Sequence, residues 1–201
     1  ATHAVGGYFN LDENNGFSLG FRYFNGPVAG DSFRPNDMAV SIGYTRRIVD
    51  NFTMSLTARY IRSDYTKFGS DYYKAGNAFT FDLGFYYENT IESFYGSTWA
   101  VGLNVSNVGT KLDISVPSNP IAMPAYAKLG GSIDMPFSEN HKLLAALDLG
   151  YTFMPSTDAS FTAGLGLEYN FLKHGFLRAG YHYGDEKSIG GSYATVGLGA
   201  A

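Results

Sequence analysis

The chain has 201 residues, 45% of them hydrophobic and 16% charged, which suits one folded domain spanning residues 1–201 and excludes a disordered protein. Fourteen basic and eighteen acidic side chains give a net charge of -4, and no basic block could neutralise a phosphate backbone, so no nucleic-acid partner is expected. The absence of cysteine excludes disulfide scaffolds, thiolate metal sites and thiol nucleophiles.

Large apolar side chains recur at every second residue along most of the chain, which is the period of a β-strand. The sixteen Tyr, sixteen Phe and 25 Gly favour the same structure. No convincing helical pattern appears, so we predict an all-β meander of about eleven strands. In chain order, the predicted strands cover residues 3–11, 17–23, 38–45, 52–60, 79–88, 98–106, 127–135, 143–153, 161–171, 177–183 and 192–199.

The length of these strands favours a membrane location. They run for about 9–13 residues, close to the span of a tilted transmembrane strand and longer than the average strand of a soluble protein, which has about 5–6 residues. No apolar run is long enough for a transmembrane helix. The predicted fold class is therefore a transmembrane antiparallel β-barrel. A soluble β-barrel or sandwich, which also shows alternation, is the alternative.

The distribution of charge supports the barrel. Ionisable residues fall on the face opposite the apolar one, as expected for a polar lumen. They are either a selectivity lining or ion pairs that cross a packed lumen; because both signs occur on nearby strands, pairing is favoured. The candidate lumen-lining residues are Arg47, Arg59, Asp82, Glu88, Lys128, Asp134, Asp148, Glu168, Arg178 and His182.

The strand connections differ in length, as in outer-membrane barrels with short periplasmic turns and long extracellular loops. Tight turns are predicted at Asp50-Asn51, Glu139-Asn140 and residues 173–175. Longer loops are predicted at residues 64–76, 89–96, 109–122 and 184–191.

Motifs for catalysis are weak, and we predict no enzyme activity, cofactor or metal. The Gly16–Gly20 stretch (GFSLG) matches a nucleophile-elbow pattern, but it opens an alternating strand rather than a strand-to-helix turn. The histidines His3, His141, His174 and His182 show no metal-ligand spacing.

Three runs carry a family resemblance: FRPNDMAVSIGY at residues 33–44, AGNAFTFDLG at 75–84 and GLNVSNVG at 102–109. Together with YAKLGG at 126–131 they resemble the PorV/PorQ family of Bacteroidota outer-membrane barrels, which are related to the FadL fatty-acid transporter fold. The resemblance implies fourteen strands. About eleven are visible, and the N-terminal region of the family is missing, so we expect a partial chain.

The resemblance also implies a function in the bacterial outer membrane. A family member would belong to the type IX secretion system, receive cargo with a C-terminal signal domain from the translocon barrel and shuttle it to the cell-surface sortase. Lipid of the outer membrane would surround it. The long loops are the expected place for cargo contacts. The candidate cargo-contact residues are Tyr65, Phe68, Tyr72 and Tyr73.

Two further functions fit the same wall pattern. One is a FadL-like channel for small hydrophobic molecules, which would need a continuous lumen. The other is a structural envelope barrel without cargo. The aromatic residues of the 64–76 segment favour the cargo role over both.

Overall fold

The structure is a computed structural model that describes residues 1–26, 35–66, 72–185 and 191–200. Within these ranges it consists of β-strands and one short 3-10 turn at Ser156–Asp158. No helix in the described ranges has the length and apolar character needed to cross a membrane. The strands are β1 (Thr2–Asn10), β2 (Asn15–Asn25), β3 (Asn36–Val49), β4 (Phe52–Asp64), β5 (Ala75–Ile91), β6 (Ser97–Gly109), β7 (Ala125–Ser138), β8 (His141–Met154), β9 (Ser160–Phe171), β10 (Gly175–Gly184) and β11 (Tyr193–Ala200).

The strands follow one another in chain order from β1 to β11 in a single sheet. β1 pairs with β2, β2 with β3, β8 with β9, and β9 with β10, and all four pairings are antiparallel. Each strand thus pairs with the next one in the sequence, as in a meander. The predicted fold class, an antiparallel transmembrane barrel represented by about eleven strands, is therefore confirmed in its strand content, order and direction.

Because neighbouring strands run in opposite directions, the connections alternate between two ends. We call one the turn end, with residues 11–14, 50–51, 92–96, 139–140 and 172–174. The other is the loop end, and its described residues are 26, 35, 65–66, 72–74, 110–124, 155–159, 185 and 191–192. The prediction of a long loop at residues 89–96 is wrong. β5 extends to Ile91, and the short connection that follows lies at the turn end.

One face of the sheet exposes large apolar side chains. In β8, β9 and β10, Leu147, Leu165 and Tyr181 lie directly across from one another, and each is about half exposed, at 51–53%. Val5, Phe21 and Val40 form a similar exposed row in β1, β2 and β3. A soluble sandwich would cover such rows with a second sheet, whereas a barrel wall turns them toward lipid.

Little of the described chain is buried. The only hydrophobic residues buried among the described ones are Ala78 and Ala125. A soluble domain of this size would bury many large aliphatic and aromatic side chains. The contrast agrees with a wall whose apolar side chains face lipid.

Aromatic side chains also meet across strands near the ends of the apolar rows. The rings of Tyr60 and Phe79 are 5.1 Å apart near the loop end, and those of Tyr87 and Trp99 are 5.3 Å apart near the turn end. Each such pair contributes about 0.5–1.5 kcal/mol beyond burial. Tyr60 and Tyr87 therefore lie where an aromatic girdle is expected.

The described contacts group into two compact units. The first comprises Ala1–Ile48, Met54–Leu83 and Ser106–Ala125, and the second comprises Val49–Thr53, Gly84–Val105 and Tyr126–Ala201. The first unit contains the loop-end connections 65–74 and 110–124, and the second contains the β7–β11 hairpins.

Candidate functional site

Two long connections of the loop end, residues 65–74 and 110–124, pair with each other. Tyr73 and Ser115 form an antiparallel bridge. On either side of it, the Val116 N–H donates to the Tyr72 carbonyl and the Lys74 N–H donates to the Ile114 carbonyl, both at 2.8 Å. We call residues 72–74 and 112–121 the loop platform. Its backbone hydrogen bonds give this part of the loop end a defined surface.

An ion pair holds the two segments of the loop platform together. The Nζ atom of Lys74 lies 2.7 Å from Oδ2 of Asp113, and the Ser118 hydroxyl donates to the same oxygen at 2.5 Å. The hydrogen bond from Lys74, followed by that from Ser118, lowers the pKa of Asp113 to about 2. Asp113 therefore stays ionised at any physiological pH and offsets the positive charge of Lys74.

The low pKa of Asp113 predicts how the loop platform responds to acid. The pKa of Asp113 in the folded state lies below the reference value of 3.8. The stability that the ionised Asp113 contributes is therefore fully present above pH 3.8 and is lost as the pH falls through about 2. We expect the amide protons of Lys74 and Val116, which bond across the platform, to keep their hydrogen-exchange protection factors from pH 7 to pH 4.

The control for this titration is Asp113→Asn, which removes the titrating group. We expect the same two amides to lose protection in this variant at every pH. A drop in wild-type protection between pH 6 and pH 4 would contradict the assignment of the ion pair as the stabilising contact.

Gly76, at the start of β5, lets the two segments approach closely. A Cβ atom at this position would lie 2.5 Å from the carbonyl oxygen of Asp113 and 2.8 Å from Cγ2 of Ile114. Gly76 is buried, and the first of these contacts is with backbone. A residue with a side chain would therefore push residues 113–114 away from β5.

The loop platform and its neighbour Tyr65 expose aromatic and aliphatic side chains. The rings of Tyr65 and Tyr73 are 6.4 Å apart, and Tyr72 is 67% exposed. Partial burial raises the pKa of Tyr65, so its hydroxyl stays neutral at physiological pH. Thus three of the four predicted cargo-contact residues lie together; Phe68 lies outside the described residues. Their role in cargo binding stays a prediction.

The second segment of the loop platform lies in one of the long loops where cargo contacts are expected, but none of its residues is a predicted contact. Val116 and Ile121 are 46% and 55% exposed and add aliphatic surface to the same platform. The sequence predicts a long loop at residues 109–122. Its pairing with residues 72–74 is a long-range contact that no local pattern indicates.

Below the loop platform, three polar side chains join β4, β5 and β6. Arg59 contacts Oδ2 of Asp82 at 2.7 Å and donates to Oδ1 of Asn107 at 2.6 Å. The Asn107 N–H donates to Oδ1 of Asp82 at 2.7 Å, and its side-chain amide donates to the Pro124 carbonyl at 2.9 Å. We call Arg59, Asp82 and Asn107 the polar clamp, since it ties the last residue of the 110–124 connection to three strands.

Asn107 has a left-handed backbone, with φ of 59°. Asn is among the few residues other than Gly that adopt this conformation readily. The conformation interrupts the regular alternation of β6 and brings both the N–H and the side chain of Asn107 to Asp82 and Arg59. Asn107 could not be recognised from the alternation, which places it on the apolar face.

Five more of the predicted lumen-lining residues form ion pairs across strands. Lys128 pairs with Asp148 at 3.0 Å, Glu168 with Arg178 at 2.6 Å, and Asp134 with Lys142 at 2.5 Å. These side chains are 29–54% exposed, so each pair contributes about 0–1 kcal/mol. The pairing of opposite charges that the sequence favoured is present here and in the polar clamp.

Three predicted lining residues make contacts of other kinds. His182 stacks on Tyr193 with ring centroids 5.0 Å apart, Glu88 accepts a hydrogen bond from the Tyr86 hydroxyl, and the backbone N–H of Arg47 donates to the Asn14 carbonyl. Whether any of the ten residues lines a lumen stays a prediction. Among the described residues, no group of three or more His, Asp or Glu side chains is placed to hold a metal ion.

The sequence matches the family described as type IX secretion system protein PorV over residues 4–159, well over half of the chain. The matched region includes the loop platform and the polar clamp. No curated protein matches the chain. The family match confirms the resemblance to PorV, and the chain belongs to this family of type IX secretion system components.

Proposed function

We propose that this PorV family member lies in the bacterial outer membrane and uses the loop platform to bind secreted cargo through its C-terminal signal domain. It would receive the cargo from the translocon barrel and deliver it to the sortase at the cell surface. The observation that carries the proposal is the family match over residues 4–159, which includes both segments of the platform. The role needs binding and release but no catalysis.

The membrane location is supported by the apolar rows of the sheet. Side chains such as Leu147, Leu165 and Tyr181 keep about half of their surface exposed although they lie in the middle of the described strands. Covering such rows with lipid removes apolar surface from water, which stabilises the protein by about 25 cal/mol for each square ångström covered. Ionisable partners such as Glu168 and Arg178 pair with each other on the other face.

The loop platform has the character of a protein-binding surface. The platform contains exposed Tyr, Val and Ile side chains and an ion pair whose charges offset each other, and tyrosine is enriched at interface centres. The backbone hydrogen bonds already made by residues 72–74 and 114–116 keep the platform ordered, so binding requires less ordering of the chain.

The proposal is tested by replacing Tyr65, Phe68, Tyr72 and Tyr73 with Ser. Since one central aromatic residue contributes about 2 kcal/mol to an interface, we expect the Kd for an isolated cargo signal domain to rise at least about tenfold. The measurement is titration of the signal domain onto the protein in lipid nanodiscs.

The matched control replaces Tyr65, Tyr72 and Tyr73 with Phe. This variant keeps the rings and removes only the hydroxyl groups, so we expect it to bind within a few-fold of the wild type. An unchanged Kd in the Ser variant, with strand content intact by circular dichroism, would count against the platform as the cargo site.

The broader role is tested by gentle extraction of the full-length protein from its native membrane and mass spectrometry of what co-purifies. Recovery of a large translocon barrel, or of secreted proteins that share a C-terminal β-domain, supports the secretion role. Recovery of the protein with fatty acid and without these partners would favour the uptake channel instead.

A further inference from the structure

Two turns at the turn end carry a bulky apolar residue in a backbone conformation that such residues rarely adopt. In the β5–β6 connection, Tyr95 and Gly96 have φ of 55° and 65°, and the Ser97 N–H donates to the Phe94 carbonyl. Positive φ at two successive central residues is the signature of a type I′ turn, for which Asn-Gly is strongly preferred. Tyr95 stands where Asn would be expected.

The β9–β10 connection repeats this arrangement. Leu172 and Lys173 have φ of 55° and 65°, and the His174 N–H donates to the Phe171 carbonyl. Leu172 thus occupies the same first central position as Tyr95. Strained backbone of this kind persists when the surrounding structure holds it, and it often serves a function. Because two hairpins have a bulky apolar residue with positive φ at the same turn position, we looked for a role that both residues share.

Both side chains are among the more exposed apolar groups of the described chain. Tyr95 is 64% exposed and Leu172 is 60% exposed. The strain at these positions therefore does not serve to bury a side chain in a core. The φ values instead leave an apolar side chain outside the sheet, at the tip of a hairpin.

The two turns lie next to the aromatic and apolar surface of neighbouring strands. Tyr95 makes edge contacts with Phe94 and Phe137, at ring distances of 5.6 and 6.2 Å. Phe137 has the same strand parity as the exposed Leu129 of β7. Beside the second turn, Tyr169 stacks on His141 and on Phe171. The tip at Tyr95 therefore continues the apolar face, and the tip at Leu172 directly follows Phe171, which has the strand parity of that face.

We propose that Tyr95 and Leu172 are anchors that insert into the headgroup layer of the membrane at the turn end. The inference rests on the proposed membrane location. Continuity with the apolar face selects lipid as the partner, since Tyr and neighbouring Phe and His rings have the mixed apolar and polar character of the headgroup boundary. The left-handed backbone is retained because it places these side chains at the hairpin tips.

The depth of the two residues can be measured directly, because the chain has a single tryptophan, Trp99. In a Trp99→Phe background, Tyr95→Trp and Leu172→Trp each provide one fluorescent reporter, and Leu165→Trp provides a control in the middle of the apolar rows. The proteins are refolded into phosphatidylcholine vesicles with bromine atoms at shallow or deep acyl positions. We expect shallow bromines to quench the two turn reporters best and deep bromines to quench the control best.

The outcomes separate this inference from the proposed function. If the Leu165→Trp reporter is quenched and the turn reporters are not, the anchors are rejected while the membrane location stands. If none of the reporters is quenched, the membrane location fails as well and the anchors fail with it.

A second comparison tests the role of the backbone. Asn tolerates a left-handed conformation and Ala does not, but both remove the apolar side chain. In detergent micelles we expect Tyr95→Asn to unfold at a higher denaturant concentration than Tyr95→Ala. In vesicles, the double variant Tyr95→Asn with Leu172→Asn should show a lower inserted fraction than the wild type. Equal insertion of this variant and the wild type would overturn the proposal.

Discussion

Replacing Asp82 with Ala is expected to lower the free energy of unfolding by about 2–3 kcal/mol, because the change removes the two carboxylate oxygens that accept hydrogen bonds from Arg59 and from the Asn107 N–H. Arg59 loses its carboxylate partner and the Asn107 N–H loses its acceptor. The side chains of Arg59 and Asp82 are 30% and 18% exposed, so water compensates part of the loss and the effect stays below that of a fully buried pair. Denaturant unfolding in lipid vesicles measures it.

A double-mutant cycle distinguishes the clamp from ordinary surface pairing. The cycle uses Arg59→Ala, Asp82→Ala and the combined variant, with Lys128 and Asp148 as the matched control pair. The control pair is more exposed, at 51% and 37%, and should give a coupling energy of about 0.5 kcal/mol or less. We expect the clamp to exceed 1 kcal/mol. A clamp coupling equal to that of the control pair would contradict a stronger interaction between Arg59 and Asp82 than between exposed surface charges.

The clamp also connects stability to the proposed function. Asn107 donates to the carbonyl of Pro124, at the end of the 110–124 connection that supplies half of the loop platform. We therefore expect Asp82→Ala to weaken cargo binding as well, although Asp82 lies in a strand and outside the platform. Lys128→Ala, at the control pair, should leave binding unchanged.

The strands could be predicted from sequence because their side chains face two different environments. The alternation from Phe79 to Tyr87, for example, identified β5 directly. The predicted strand ended too early, at residue 88, because Asn89 and Thr90 are polar and the alternation of apolar residues stops there. The backbone ladder continues to Ile91 beyond the apolar band, since hydrogen bonding between strands does not depend on side-chain polarity.

The polar contacts were predictable only in part. Strand parity placed Asp82, Lys128 and Glu168 on a shared polar face, and the occurrence of both signs on nearby strands favoured pairing of opposite charges. Parity alone does not select the individual partners: in the structure Lys128 pairs with Asp148, and Asp134 pairs with Lys142.

Two other features were beyond the reach of local patterns. The left-handed backbone of Asn107 takes it out of the alternation. The bridge between Tyr73 and Ser115 joins connections that are separated by two strands in the sequence. Both features depend on tertiary contacts rather than on the spacing of apolar residues.

Replacing Gly109 with Ala is expected to disrupt the loop-end part of the β5–β6 pairing. A Cβ atom on Gly109 would lie 1.9 Å from the carbonyl oxygen of Phe79 and 2.7 Å from Cα of Thr80. Both are backbone atoms, so no rotation of a side chain can relieve the contact. The strands would have to separate where the Thr110 N–H donates to the Phe79 carbonyl and the Phe79 N–H donates to the Thr110 hydroxyl, both at 2.9 Å.

We expect Gly109→Ala to cost about 3 kcal/mol, from overpacking together with these hydrogen bonds. The control is Gly166→Ala in β9, where a Cβ atom would meet nothing within 4 Å. That change should alter stability by less than about 1 kcal/mol and can raise it, because Ala restricts the unfolded chain. Denaturant unfolding in vesicles compares the two variants, and equal midpoints would contradict the close approach of β5 and β6. Because Gly109 directly precedes the 110–124 connection, the Gly109 variant should also lose the protection of the Val116 amide in the loop platform.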